Sequence, residues 1–497
     1  MTDNALDKNQ ARAEEMLTAD WRLLVDGELR GAVNGATFDV VSPDTEQVIA
    51  KVPDATAEDA DAAVAAATRA WPNWAALAPT ERASYVNNIA FIIEQNRDDL
   101  ALLDAIDGGA PIGIMAMDVN HAAAVCRYFA GLALETKGYS VPLTSGTHFT
   151  VREPYGVVAA IVPFNHPILF AVVKLAAPLV AGNCVILKPA EATPLSALWL
   201  AKLLSDAFPP GVLQILTGNG PAVPSHLVRH PDISRITFTG SEQTGRRILR
   251  DAADAGIKEV SLELGGKNAM VVYPDADAQE VADAALRGMN FAWSGQSCGS
   301  TSRLVIHESL ADEVLDLMVK RLEGRRIGNP IDPANEQGPM VDKRQFDRVA
   351  GFVSEALEQG ARVVCGGGTP ATAERGYYFE PTILDSVGHT DRVAVEEIFG
   401  PVLSVLRWGE GDDPIEIANS VRYGLTGSVF TNDVRLAMRA AKRIRAGYVW
   451  VNGSARHFIG MPFGGYKASG LGREESIEEL LSFTQVKSIH VVDEVTS

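Results

Sequence analysis

The 497-residue sequence predicts an α/β protein whose parallel sheets lie beneath helices on both faces. Three strand–loop–helix units in succession carry this reading. "GVVAAIVPFNHP" runs into "ILFAVVKLAAPLVAG", "CVILKPAEATP" into "LSALWLAKLLSDAF", and "RITFTGSEQTG" into "RRILRDAADAG". Apolar, β-branched runs alternating with helices indicate βαβ units, whose strands are buried on both sides. A second α/β region follows "EVSLELGGKNAMVVYPDA" and extends to "AGYVWVNGS". Composition agrees: 46% hydrophobic and 22% charged residues is an ordinary globular balance. The length exceeds what one simple core serves, so about two to four domains are expected.

Taken in order, residues 1–20 are a polar, acid-containing lead without the apolar segment of a secretory signal. "WRLLVDGELR" and "TFDVVSPDTEQVIAKVP" alternate apolar and polar residues with turns between, which predicts antiparallel strands. From Thr56 to about Thr136 the pattern is helical, in three segments whose expected caps are Thr56, Thr80 and Asp118. "HFTVREPYG" returns to strand character before the three βαβ units. In sheets of that kind ligands bind at the carboxyl ends of the strands. Helices are then expected at "AQEVADAALRGMNFAW" and "LADEVLDLMVKRLEG", and a strand at "ARVVCGGG". "FIGMPFGGYKASGLGRE" reads as a long ordered loop closing over something. "SFTQVKSIHVVDEV" reads as a strand whose edge could pair with "HFTVREP" or with another subunit.

Charge and cysteine usage narrow the function. A formal charge of −19 argues against nucleic acid or an anionic membrane surface as partner. The longest apolar stretch, "ILFAVVKLAAPLVAG", is interrupted by Lys174 and Pro178 and is too short to span a bilayer, so it reads as a buried helix. Four cysteines without regular spacing point to a reducing compartment, and the cytoplasm is expected. Cys126, Cys184 and Cys365 sit in apolar patterns and read as buried small residues.

Four local patterns could carry chemistry. "FTGSEQTG" sets Gly240 and Gly245 at a strand-to-helix junction, suited to a phosphate at a helix start, although it departs from the three-glycine dinucleotide fingerprint. "KPAEATP" puts Lys188 and Glu191 in the neighbouring loop, as ribose-binding groups or as a solvated charge pair. Glu263 in "SLELGGKN" reads as a general base or as an ordinary cap or ion-pair partner. Cys298, in "MNFAWSGQSCGSTSR", reads as a nucleophile, a metal ligand or a small hydrophobe beside a turn. The histidines show no metal-ligand spacing, and no metal site is expected.

Seven motifs in order, "PFNHP", "KPAE", "FTGS", "ELGGKN", "GQSC", "EEIFGPV" and "PFGGYKASGLGRE", resemble the NAD(P)-dependent aldehyde dehydrogenase superfamily from about Trp21 to the C-terminus. The resemblance implies two doubly wound parallel-sheet domains plus a small antiparallel oligomerisation element. Its boundaries are 1–136 with 154–263 for cofactor binding, 264–466 for catalysis, and 137–153 with 467–497 for oligomerisation into a dimer or tetramer. It implies Cys298 as nucleophile, forming a thiohemiacetal and then a thioester, with Asn165 and the Cys298 N–H as oxyanion hole and Glu263 activating the hydrolytic water. Val162, Pro163, Phe164, Lys188, Glu191 and Gly220 would bind the cofactor, as would Gly240, Ser241, Gly245, Leu264, Glu397 and Phe399. Glu191 would repel a 2′-phosphate, so NAD is expected over NADP. The presence of Glu263 implies the hydrolytic rather than the CoA-acylating branch.

The oxyanion motif commonly has Trp and Phe where this chain has Phe164 and His166. The loop holding Arg456 and His457, with His121 on a facing helix, would border the substrate. Those residues suggest a polar or carboxylate-bearing aldehyde, with Arg456 or His457 engaging its far end, the alternative being that Arg456 points to solvent or a neighbouring subunit. The small Ser297 and Gly299 beside Cys298 leave room that would also suit an aromatic aldehyde. A cysteine hydrolase or thioesterase, or a non-catalytic binding protein on the same fold, are the alternative functions.

Overall fold

A computed structural model describes residues 3–143 and 146–492. The expected βαβ units build an eight-stranded sheet. Its parallel part runs Leu213–Ile215, Cys184–Lys188, Val157–Ile161, Ile233–Thr239 and Glu259–Glu263. Leu23–Val25 and, beyond it, Glu28–Arg30 add antiparallel at one edge and Gly470–Leu471 at the other. The chain fills one side first, from Val157–Ile161 outward to Leu213–Ile215, then the other with Ile233–Thr239 and Glu259–Glu263. The order therefore reverses beside Val157–Ile161, where a crevice opens in such sheets. All five residues of Val157–Ile161 and of Cys184–Lys188 are buried. Helix Pro167–Ala181 packs on this sheet, continuing through Lys174 and Pro178 until Gly182 ends it at φ +99°. Among the described residues no helix is long and apolar enough to cross a membrane.

Residues 264–268 lead into a second, seven-stranded sheet: Arg362–Cys365, Thr382–Asp385, Val402–Trp408, Arg303–His307, Ala269–Val272, Thr426–Phe430 and Tyr448–Val451. All neighbours are parallel except Arg362–Cys365, antiparallel at its edge. A third, three-stranded antiparallel sheet pairs Thr484–Val492 with Gly146–Pro154 over nine residues, and Gly146–Pro154 with Ser140–Leu143. Residues 493–495 of the expected terminal strand lie outside the described residues.

Three helix boundaries differ from expectation. The polar lead forms helix Asp3–Leu17. Thr56 caps helix Ala57–Ala76 as expected, its hydroxyl accepting from Asp59 N–H at 3.3 Å while the Asp59 carboxylate accepts from Thr56 N–H at 2.9 Å. Thr80 is not a cap. Helix Pro79–Gln95 starts one residue earlier, because proline suits the first helical position, and the Glu81 carboxylate accepts from Ala78 N–H at 2.8 Å. Asp118 is not a cap either: helix Ile112–Gly131 starts six residues earlier, after Pro111, and Asp118 is buried inside it.

Candidate active site

Four loops at the carboxyl ends of the first sheet lie side by side. Asn165 follows Val157–Ile161 at the reversal point and is buried. Lys188 ends the next strand, and Ser241 follows Ile233–Thr239, capping helix Glu242–Ala255 by accepting from Thr244 N–H at 3.3 Å. Glu263 ends Glu259–Glu263. The long glycine-rich loop closes over this last residue. Ser469 C=O accepts from Leu264 N–H at 3.0 Å, and a β-carbon on Gly464 would lie 2.9 Å from Glu263 Oε1. Enclosure leaves both Glu263 oxygens without a hydrogen-bond partner among the described residues. Burial, and then the charge of Glu474, push its pKa well above the usual carboxylate range.

Cys298 comes from the second sheet. Residues 290–302 make a tight turn before Arg303–His307, with positive φ at Asn290, Ser294 and Gly295. Asn268 Nδ2 clamps it, donating to the carbonyls of Cys298 at 2.8 Å and Ser300 at 2.9 Å. Cys298 and Glu263 line one cavity of about 580 Å³. Burial, followed by the charges of Glu397, Glu263 and Glu474, pushes the Cys298 thiol up to about 12.

The remaining loops form a cradle. Lys188 is buried with its Nζ 3.6 Å from the exposed carboxylate of Glu191; burial lowers its pKa while Glu191 raises it. Such a cation–carboxylate pair suits ribose hydroxyls, and the start of helix Glu242–Ala255 suits phosphate. Gly220, at φ +77°, faces open space. Gly240 and Gly245 have a different reason for lacking side chains. A β-carbon would meet the Phe238 ring at 2.5 Å or Leu264 Cδ2 at 2.7 Å, so these glycines bring the helix close to the sheet. Val162 is buried beside half-buried Pro163 and Phe164. The Phe164 ring meets Phe399 edge-on, centroids 5.7 Å apart, and Phe399 holds φ +59°. The Glu397 carboxylate accepts from Gly266 N–H at 3.0 Å, where any β-carbon on Gly265 would collide with it; burial raises its pKa to about 7.

Of the expected substrate residues, His121 and His457 line the cavity and Arg456 does not. Arg456 is exposed, and its carbonyl accepts from Trp450 Nε1–H at 2.7 Å. That bond turns the backbone so that the next residue, His457, faces inward. No lysine or arginine is among the cavity's described lining residues. Its carboxylates other than Glu263 have partners: Asp118 with His166 Nδ1 at 2.7 Å, Glu475 with His457 Nδ1 at 2.8 Å, and Glu474 in an ion pair with buried Lys174. Glu479 accepts from Glu475 N–H at 2.7 Å, and burial raises its pKa to about 8. Sequence reasoning missed Asp118, Glu475 and Asn268. The first read as a cap, the second belongs to an acidic run that resembles a solvated face, and the third differs from its neighbours only through contacts made in the fold.

The sequence profile described as "Aldehyde dehydrogenase family" matches residues 31–489. The aldehyde dehydrogenase tropH of Talaromyces stipitatus is 42% identical over 490 residues, spanning 96% of this chain and 94% of that protein. Indole-3-acetaldehyde dehydrogenase of P. syringae, solved with NAD+, superposes with a TM-score of 0.95 at 37% identity over 98% of this chain and 99% of its own. An aldehyde dehydrogenase from Bacillus cereus, also solved with NAD+, gives 0.93 at 37% identity over 97% and 98%.

Proposed function

This chain belongs to the aldehyde dehydrogenase family, oxidoreductases acting on aldehydes, and we propose that it uses NAD to oxidise an uncharged, ring-bearing aldehyde to the carboxylic acid. The observation that carries this is the meeting of Cys298 with a partner-free Glu263 carboxylate in one cavity. A thiol pushed up to about 12 does not ionise alone near neutral pH, so its proton leaves as the carbon–sulfur bond forms. Glu263, a carboxylate of raised proton affinity, receives it directly or through one water. The oxyanion that develops is met by the Asn165 amide and the Cys298 N–H. NAD held by the Lys188–Glu191 and Ser241 loops would supply the hydride acceptor. Glu263 first gives the thiol proton up to solvent, then takes a proton from the water that attacks the Cys298 thioester and returns it to the sulfur as the carboxylic acid departs.

The cradle fits such a cofactor. Lys188 and Glu191 would engage the adenosine ribose, the Ser241 end of helix Glu242–Ala255 the pyrophosphate, and Glu397 with Phe399 the nicotinamide side. Glu191 disfavours a 2′-phosphate, supporting NAD over NADP. A thioesterase would leave this cradle without work. The first sheet would be the cofactor domain, the second the catalytic domain, and the third sheet the contact for a dimer or tetramer. Four free cysteines support a cytoplasmic setting.

The wall supports one substrate class. Apart from Glu263, its acids are paired or, at Glu479, hydrogen-bonded with a pKa raised by burial, and it offers no lysine or arginine to a second carboxylate. The carboxylate-bearing aldehyde suggested by Arg456 is therefore set aside in favour of an uncharged one among Trp293, Phe170 and Phe463. NADH absorbance with NAD and a panel of aldehydes tests this. Benzaldehyde should exceed 4-carboxybenzaldehyde by about tenfold or more in kcat/KM. Cys298→Ala should abolish turnover. NADH formation surviving that change would remove Cys298 from the mechanism.

A further inference from the structure

The wall beside the nucleophile holds a histidine that this reaction does not use. His457 is fixed on every side. Its Nδ1 is bound to Glu475, which leaves Nε2 as the free ring nitrogen. The ring stacks on Tyr448, centroids 5.9 Å apart and planes 18° apart, and packs against Phe463 at 4.6 Å. Both flanking peptide groups are pinned: the Arg456 carbonyl by Trp450 Nε1–H at 2.7 Å, and the Phe458 N–H by the Tyr448 hydroxyl at 3.3 Å.

Glu475 is constrained in turn. It holds φ +61°, a conformation glutamate adopts only under restraint. Its N–H donates to Glu479 at 2.7 Å and its carbonyl accepts from Gly460 N–H at 2.7 Å. Strain kept in the wall of a reaction cavity points to a working position. The free Nε2 faces the reaction centre: a β-carbon built on Gly299, the residue after the nucleophile, would lie 3.9 Å from it.

We infer that His457, oriented by Glu475, is a specificity-determining residue that hydrogen-bonds a hydroxyl group carried by the aldehyde. This rests on the dehydrogenase reading above and names its substrate class as hydroxylated aromatic aldehydes. Burial lowers the His457 pKa, but the hydrogen bond to Glu475 and the Glu475 charge together outweigh it and leave the value raised. Protonated, Nε2 donates; neutral, it accepts. A hydroxyl does both, so it satisfies the ring in either state. A carboxylate suits only the protonated ring and would face Glu263, Glu474 and Glu475. An unsubstituted ring leaves Nε2 without a partner. Trp293, Phe170 and Phe463 supply the apolar surface for the ring itself.

The test compares kcat/KM with NAD for benzaldehyde and for 3- and 4-hydroxybenzaldehyde. The parent should prefer at least one hydroxylated compound. His457→Phe should lower the hydroxylated-to-unsubstituted ratio by about tenfold to a hundredfold, through KM rather than kcat. His457→Gln, which keeps a donor and an acceptor, should recover most of it, and Glu475→Gln should lower it by freeing the ring to turn. A parent without preference, or an unchanged ratio in His457→Phe, overturns the inference. Should the phenylalanine variant not fold, Glu475→Gln decides, and a parental ratio there overturns it equally. Absence of NADH with every aldehyde would strike the dehydrogenase reading instead.

Discussion

At Cys298 two demands conflict. In the proposed reaction the cavity must be enclosed enough to protect a thioester and hold an apolar ring, yet enclosure disfavours ionisation of the thiol. Glu263 would answer the conflict, because the same burial raises its proton affinity and makes it a stronger base than an exposed carboxylate. The sign of the pH dependence follows. Glu263 accepts a proton only when ionised, so kcat/KM should fall as pH drops through its raised pKa. That acid limb should stand above the ordinary carboxylate range of about 4–5. A limb within that range would show an exposed Glu263. Glu263→Gln should cut steady-state turnover by about a hundredfold or more while a first burst of NADH survives in part, because hydrolysis of the thioester then lacks its base. Rapid-mixing absorbance measures both phases.

Elements position these residues through caps that come from far along the chain. Helix Pro167–Ala181, which starts just after Asn165, has no side-chain cap of its own, and Asp104 on helix Arg97–Gly108 accepts from Ile168 N–H at 3.0 Å. Three residues on, Asp107 accepts from Leu195 N–H at 3.0 Å, at the start of the helix that follows Lys188 and Glu191. One helix thus sets the entry of two site-bearing helices. Burial pushes the Asp104 pKa up to about 8. The folded state holds this proton more tightly than the unfolded chain, whose aspartate titrates near about 4. The linked stability is complete below that value and is lost as pH rises through about 8. Asp104→Asn keeps an acceptor for Ile168 N–H and removes the ionisation. The fall in Tm between about pH 6 and 9 should therefore be smaller than in the parent. Asp104→Ala should cost about 1–2 kcal/mol and lower kcat through Asn165. None of this was legible locally. Thr56 was, because its capping partner Asp59 lies three residues away. Asp118 misled, because a helix interior and a helix start look alike when the partner, His166, is 48 residues distant.

At the scale of the molecule, periodicity revealed both parallel sheets because β-branched runs between helices have few other uses. It could not show that the first sheet offers its carboxyl ends and the second its amino ends to one cavity. That arrangement follows from five linking residues, 264–268, whose two glycines leave room for Glu397 and for the clamped turn of Cys298. Among the described residues the third sheet has no further strand at either edge, Ser140–Leu143 or Thr484–Val492, and it exposes Val141, Leu143, Val486, Val491 and Val492. Open edges carrying apolar side chains invite pairing with another chain, and a monomer seldom leaves such a surface bare. Light scattering should therefore give a dimer or tetramer at micromolar concentration. Val486→Lys with Val491→Lys should shift it toward smaller species, because two charges would be buried without partners at the contact. The nine-residue pairing with Gly146–Pro154 runs through backbone groups and should survive the change, so circular dichroism should remain parental while mass falls. A parent that is monomeric, or a double variant of unchanged mass, would mean that subunits meet elsewhere or not at all.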